Sequence, residues 1–144
     1  MRQKIYTIGL LNTFIILMGA IFKIEHWPGA GILMTTGIAS LVFLFIPMAL
    51  INNYRSGKNR GYLSLYIMTW ITCFVVFTAM IFKIQHWPGA GIGLTIALPF
   101  PYLFFLPVFM AVTGRNPNFS IYKTVYVLLL LVVNSVFSAL MALN

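Results

Sequence analysis

Two histidines, His26 and His86, are the side chains best suited to chemistry, and each stands in the same run of residues. Ile21-Phe-Lys-Ile-Glu-His-Trp-Pro-Gly-Ala-Gly-Ile32 returns as Ile81-Phe-Lys-Ile-Gln-His-Trp-Pro-Gly-Ala-Gly-Ile92, identical at eleven of twelve positions. A repeat that brings two imidazoles together offers paired ligands for a metal or a haem, a bis-histidine cofactor site. Against that, neither histidine has a cysteine, an aspartate or a second histidine at ligand spacing, and Glu25 is the only acid in the chain. The competing reading is a structural histidine at a membrane interface. Other chemistries have fewer means. There is no nucleophile beside a base, no metal motif, and no phosphate-binding glycine loop ahead of a soluble helix. The expectation is therefore a protein that is not an enzyme, with no catalytic residue, no metal and no resident cofactor unless His26 and His86 bind one.

The elements that carry these residues must live in lipid. Hydrophobic residues make up 61% of the 144 positions, charged residues 7%, and the mean hydropathy is +0.98. A soluble domain carries about 25% charged residues to wet its surface. The net charge of +8, from nine Lys and Arg against one acid, suggests nucleic acid only at first sight. The cations are not gathered on a face; they fall in short polar gaps, where they act as topology signals and contacts to anionic lipid. No nucleic-acid partner is expected. The single cysteine, Cys73, cannot form an internal disulfide.

A helix needs about 20 apolar residues to cross the hydrocarbon core. Five runs qualify: Ile5–Phe22, Ile32–Ile51, Leu63–Phe82, Ile92–Val112 and Thr124–Leu143. The fold class is thus all-α, a polytopic membrane helix bundle of about five transmembrane helices in one membrane domain over residues 1–144. The 60-residue offset makes residues 5–51 and 63–112 tandem hairpin repeats, with residues 124–143 an extra fifth helix. The first run has a basic start resembling a signal peptide, but it occupies the same place in the repeat as Leu63–Phe82 and is expected to be retained. Each repeat holds two spans, so both enter the membrane in the same direction, unlike inverted-repeat transporters.

Orientation follows from the short flanks. One side receives Arg2, Lys4, Arg55, Lys58, Arg60, Arg115 and Lys123, and the other only Lys23 and Lys83. The positive-inside rule then places the N-terminus in the cytoplasm, and the two histidine loops and the C-terminus in the periplasm.

The loop motif (Lys23, His26, Trp27, Pro28, Gly29, and again Lys83, His86, Trp87, Pro88, Gly89) has a structural explanation. Trp before Pro favours extended backbone, and Pro-Gly suits the centre of a tight turn with Gly at positive φ. The lysines meet the negative ends of the preceding helices, and the tryptophans belong to the interfacial belt. Small residues mark packing faces: Gly89, Gly93 and Ala97 on the fourth span, and Asn134, Ser138 and Ala142 on the fifth. Pro99, Pro101 and Pro107 are expected to break the fourth helix. No Asp, Glu, Lys, Arg or His lies inside any of the five spans, which argues against proton or ion carriage by this chain alone. Milder groups such as Asn12, Thr72, Asn134 and Ser135 remain for hydrogen bonds between helices or back to their own backbone.

The Phe-Lys-Ile-X-His-Trp-Pro-Gly-Ala motif resembles the N-terminal transmembrane hairpin of the GldL family, the inner-membrane motor subunits of gliding motility and type IX secretion. The resemblance covers each hairpin separately and implies a periplasmic loop, in agreement with the charge count. It also implies a membrane-embedded Glu on the second helix, yet the matching stretches read Ser40-Leu41-Val42 and Phe100-Pro101-Tyr102. The long cytoplasmic domain of that family does not follow the second helix either. The motor role is therefore not expected to carry over.

These features support a non-catalytic inner-membrane accessory subunit of a larger cell-envelope complex, of a secretion, motility, transport or respiratory kind. Its expected partners are membrane lipids, anionic on the cytoplasmic side, and other membrane subunits. The alternatives are a small transporter or channel for a neutral or apolar solute, with a cavity at Asn12, Thr72 or Thr95, and a bis-His cofactor protein.

Overall fold

The computed structural model describes residues 2–55, 62–114 and 121–143, and all of its regular structure is helical. The elements are α1 (Arg2–Ile24), α2 (Ala30–Arg55), α3 (Leu63–Ile84), α4 (Ala90–Thr113) and α5 (Ile121–Leu143). Of these, α1 to α4 have the length and hydropathy of membrane spans; α5 is 23 residues long, with its described apolar stretch at Thr124–Val136. At 1.5 Å per residue, 23 residues reach about 34 Å, enough for a hydrocarbon core of about 30 Å. Each helix runs a few residues past the expected apolar run, because a helix propagates to its cap and not merely to the edge of the lipid. Lys58, Arg60 and Arg115 lie outside the described residues, as do the side chains of Arg2, Lys123, Ser138 and Ala142.

The chain forms two compact units, Met1–Leu63 and Ser64–Asn144. The first is the α1–α2 hairpin. One face of α1 (Tyr6, Leu10, Phe14, Leu17, Ile21) is exposed and apolar, a helical stripe turned to lipid. The opposite face carries Gly9, Asn12, Ile16 and Gly19 toward α2. A Cβ on Gly19 would stand 2.9 Å from the Met34 backbone nitrogen, and one on Gly37 2.7 Å from Ile16 Cγ1. Without hydrophobic drive between helices in lipid, such close approach supplies the dispersion contacts that hold them together.

In the second unit, Val76, Ala79 and Met80 of α3 pack with Leu94 and Ala97 of α4. Gly93 faces Ala79 at an ordinary van der Waals spacing, 3.7 Å from its would-be Cβ. The fifth helix docks on this hairpin through Tyr102. Its hydroxyl lies 3.0 Å from the Leu131 carbonyl and 2.6 Å from Ser135 Oγ, while Ser135 Oγ is 2.9 Å from the same carbonyl. Two hydroxyl protons thus serve three contacts. Tyr102→Phe is expected to loosen α5 by about 0.6 kcal/mol, the mean for interhelical bonds in lipid; faster hydrogen exchange confined to α5 is the readout.

Both α2 and α4 contain one widened turn. The Ile46 N–H donates to the Leu41 carbonyl and the Leu106 N–H to the Pro101 carbonyl, i→i+5 bonds that define π turns at Leu41–Phe45 and Pro101–Phe105. The two turns stand 60 residues apart, at the same position of the repeat. The prolines expected to break α4 therefore act at Pro101, with an irregular stretch at residues 98–99 before it. The π turn of α2 has no proline at its start.

Candidate functional site

Each repeated motif is a helix ending, organised by the backbone of its central residues. In the first copy the Trp27 N–H donates to the Phe22 carbonyl (2.8 Å) and the His26 N–H to the Lys23 carbonyl (3.4 Å). In the second, the Trp87 N–H donates to the Phe82 carbonyl (2.9 Å) and the His86 N–H to the Lys83 carbonyl (3.1 Å). This is the Schellman pattern, which satisfies the last carbonyls of a helix by placing one residue in the left-handed region. That residue is the histidine, at φ 56° in His26 and 55° in His86. Histidine is one of the few non-glycine residues enriched there. The accompanying apolar clasp joins Phe22 to Trp27 edge-to-face at 5.0 Å, and Phe82 to Trp87 at 5.1 Å. An aromatic pair of this geometry contributes about 0.5–1.5 kcal/mol beyond its buried area. A double-mutant cycle of Phe22→Leu with Trp27→Leu should return a coupling of that size.

The turn then reverses the chain. Gly29 (φ 90°, ψ −6°) and Gly89 (φ 86°, ψ 0°) hold the third position of a type II turn, with Pro28 and Pro88 before them. In the second copy the Ala90 N–H closes that turn on the Trp87 carbonyl at 3.2 Å. Both glycines are also the N-caps of the next helices, since the Leu33 and Gly93 N–H groups donate to their carbonyls. Gly89 thus serves the turn, and a Cβ there would meet nothing within 4 Å. Gly93 and Ala97 are the members of that face that lie toward α3. Asn134 on α5 is half-buried.

His26 and His86 are both exposed, one in each unit. Lys23 and Lys83 close the last turns of α1 and α3. Among the described residues, no three His, Cys, Asp or Glu side chains cluster as a metal site.

Behind the first turn, at mid-helix, sits a polar clasp. Asn12 is 2% exposed. Its amide orientation follows from its neighbours: Oδ1 accepts from the Leu41 N–H (2.9 Å), and Nδ2 donates to the Ser40 hydroxyl (3.1 Å) and the Gly37 carbonyl (3.0 Å). A buried amide is tolerable in lipid because its capacity is met in this way. In the second unit the equivalent position is Thr72, buried, with a hydroxyl that has no hydrogen-bond partner. Six other threonines, Thr7, Thr13, Thr36, Thr69, Thr95 and Thr113, donate to the carbonyl four residues back. Beside Thr72 is a cleft of about 280 Å³, lined by Thr69, Thr72 and Cys73 of α3, Phe105 of α4, and Val127, Leu130 and Leu131 of α5. The surface it exposes is apolar.

Residues 7–60 match the family model of the GldL N-terminal domain. That stretch contains α1 from Thr7 onward, the first Schellman turn, the Asn12 clasp and α2. The GldL-type motif of the second hairpin is identical in sequence from His86 to Ile92 and folds into the same turn. No curated protein and no solved structure matches the chain. The positions where the GldL resemblance implies a carboxylate, Ser40-Leu41-Val42 and Phe100-Pro101-Tyr102, fall at the start of each π turn. Both sites are uncharged in this multi-pass helical membrane protein.

Proposed function

We propose that the chain is a non-catalytic accessory subunit of a cell-envelope complex in the bacterial inner membrane, of the gliding-motility or type IX secretion kind. The observation that carries this reading is the match of the first hairpin to the GldL N-terminal domain. The uncharged π turns support a scaffold over a motor, because proton coupling needs an ionisable group at membrane depth. The long exposed apolar faces of α1 and α5 suit lipid and neighbouring helices equally. The flank charges favour a cytoplasmic N-terminus, anionic lipid on that side, and periplasmic Schellman turns. Native electrophoresis of gently solubilised membranes tests the reading. The chain is expected to migrate with an assembly several times its own mass of 16.2 kDa; migration only as monomer or dimer would sink it.

A second reading, a small channel or transporter for a neutral solute, is favoured by the cleft at Thr72. It requires that Thr72→Phe, which fills the cleft, lower the glycerol permeability of proteoliposomes. Equal permeability with and without the substitution would remove it.

A further inference from the structure

The two π turns share a register but not a chemistry. In α2 the Leu41 N–H is shared between the Gly37 and Ile38 carbonyls of its own helix and Oδ1 of Asn12 from α1. In α4 the residue 60 positions on is Pro101, which has no N–H to share. The rest of the clasp has gone with it, since Thr72 and Phe100 stand where Asn12 and Ser40 do. Both hairpins therefore disturb the same rung of the i→i−4 ladder: in α2 the Leu41 N–H keeps its Gly37 bond but divides it with a side chain from the neighbouring helix, and in α4 a proline removes the N–H altogether. Prolines, π turns and side chains inserted into the ladder are the recurrent places where a helix departs from regular α geometry.

We propose that Asn12 is the positioning residue that fixes the π turn of α2, by engaging the Leu41 N–H, and thereby sets the rotational phase of Ile46–Arg55. Pro101 does the same for α4 without help from α3. The consequence is geometric. A π turn holds one more residue than an α turn, and an α-helix advances about 100° per residue. If the π turn relaxes to α, the helix beyond it rotates by that amount, and Leu44 takes the direction that Phe45 now has. Phe45 at present lies against Gly9, its ring 2.6 Å from where a Gly9 Cβ would stand, whereas Leu44 is exposed. The face that α2 offers its neighbours is thus under the control of one amide on α1. This inference stands independently of the complex to which the chain belongs.

Disulfide trapping in a Cys73→Ser background reads the phase directly. Gly9→Cys is paired with Phe45→Cys, which removes the ring that would block the new Cβ, or with Leu44→Cys. Oxidation in membranes is expected to join 9 to 45 and not 9 to 44. With Asn12→Leu the preference should move to 44. Asn12→Thr, the residue that the second hairpin carries at this place, should do the same in a milder form and guards against a misfolded leucine variant. Adding Leu41→Pro should restore the 9–45 bond without the amide. Retention of 9–45 in both Asn12 variants would overturn the proposal, and so would a shift to 44 that Leu41→Pro fails to reverse.

Discussion

Gly19→Val is expected to split the first hairpin, with a loss of about 3 kcal/mol, the upper end of what overpacking costs. The Cβ alone would stand 2.8 Å from Met34 Cγ and 2.9 Å from the Met34 backbone nitrogen. A flexible side chain can move aside, but a backbone nitrogen in α2 moves only if the helix does. The two γ-methyls of valine then fall into the same contact. Loss of monodisperse protein in detergent, or a lowered unfolding midpoint, measures the effect. Gly93→Ala supplies the control from the second unit, where the new methyl meets Ala79 at 3.7 Å and should be accommodated. Equal behaviour of the two variants would mean that close α1–α2 contact does not hold the hairpin together.

The second large effect concerns the histidines, and its sign separates the two readings of the motif. If His26 is present for its left-handed backbone, His26→Gly and His26→Asn should keep or raise stability, since both residues enter that region easily. His26→Val should cost about 1–2 kcal/mol, the penalty of placing Cβ against the carbonyl in a left-handed turn. The same order is expected at His86. A cofactor role predicts a different order, in which Gly, Asn and Val all lose the ligand alike and no variant is better than another. Thermal unfolding of the three variants, with an absorption spectrum of the purified protein, distinguishes them.

Much of this architecture was legible in the sequence. The number, placement and hairpin pairing of the helices follow from apolar runs, short polar gaps and a duplication that needs no structure to see. The glycine after each proline announced its positive φ for a simple reason, as a type II turn admits little else. The histidine did not announce its own, because the Schellman ending is written in the spacing of Phe22, His26 and Trp27, and aromatic residues at a membrane interface have another explanation close by. The π turn of α4 was half legible: three prolines predicted a break, though not which kind. That of α2 was hidden, since its cause lies on another helix. Asn12 reads as one mild polar residue among several until α1 and α2 are laid together. The close glycines Gly19 and Gly37 escaped for a similar reason, as neither belongs to a small-residue row on its own helix. The docking of α5 passes through Ser135, next to the face of Asn134, Ser138 and Ala142 picked out by spacing alone.

Membership of a larger assembly is tested most directly by affinity isolation of the tagged, full-length chain at native expression in a gentle detergent, with mass spectrometry of everything recovered. Stoichiometric recovery of a defined set of envelope subunits, lost on Gly19→Val and kept on Gly93→Ala, is the expected result. Recovery of the chain by itself, folded and with the first hairpin intact, would contradict it.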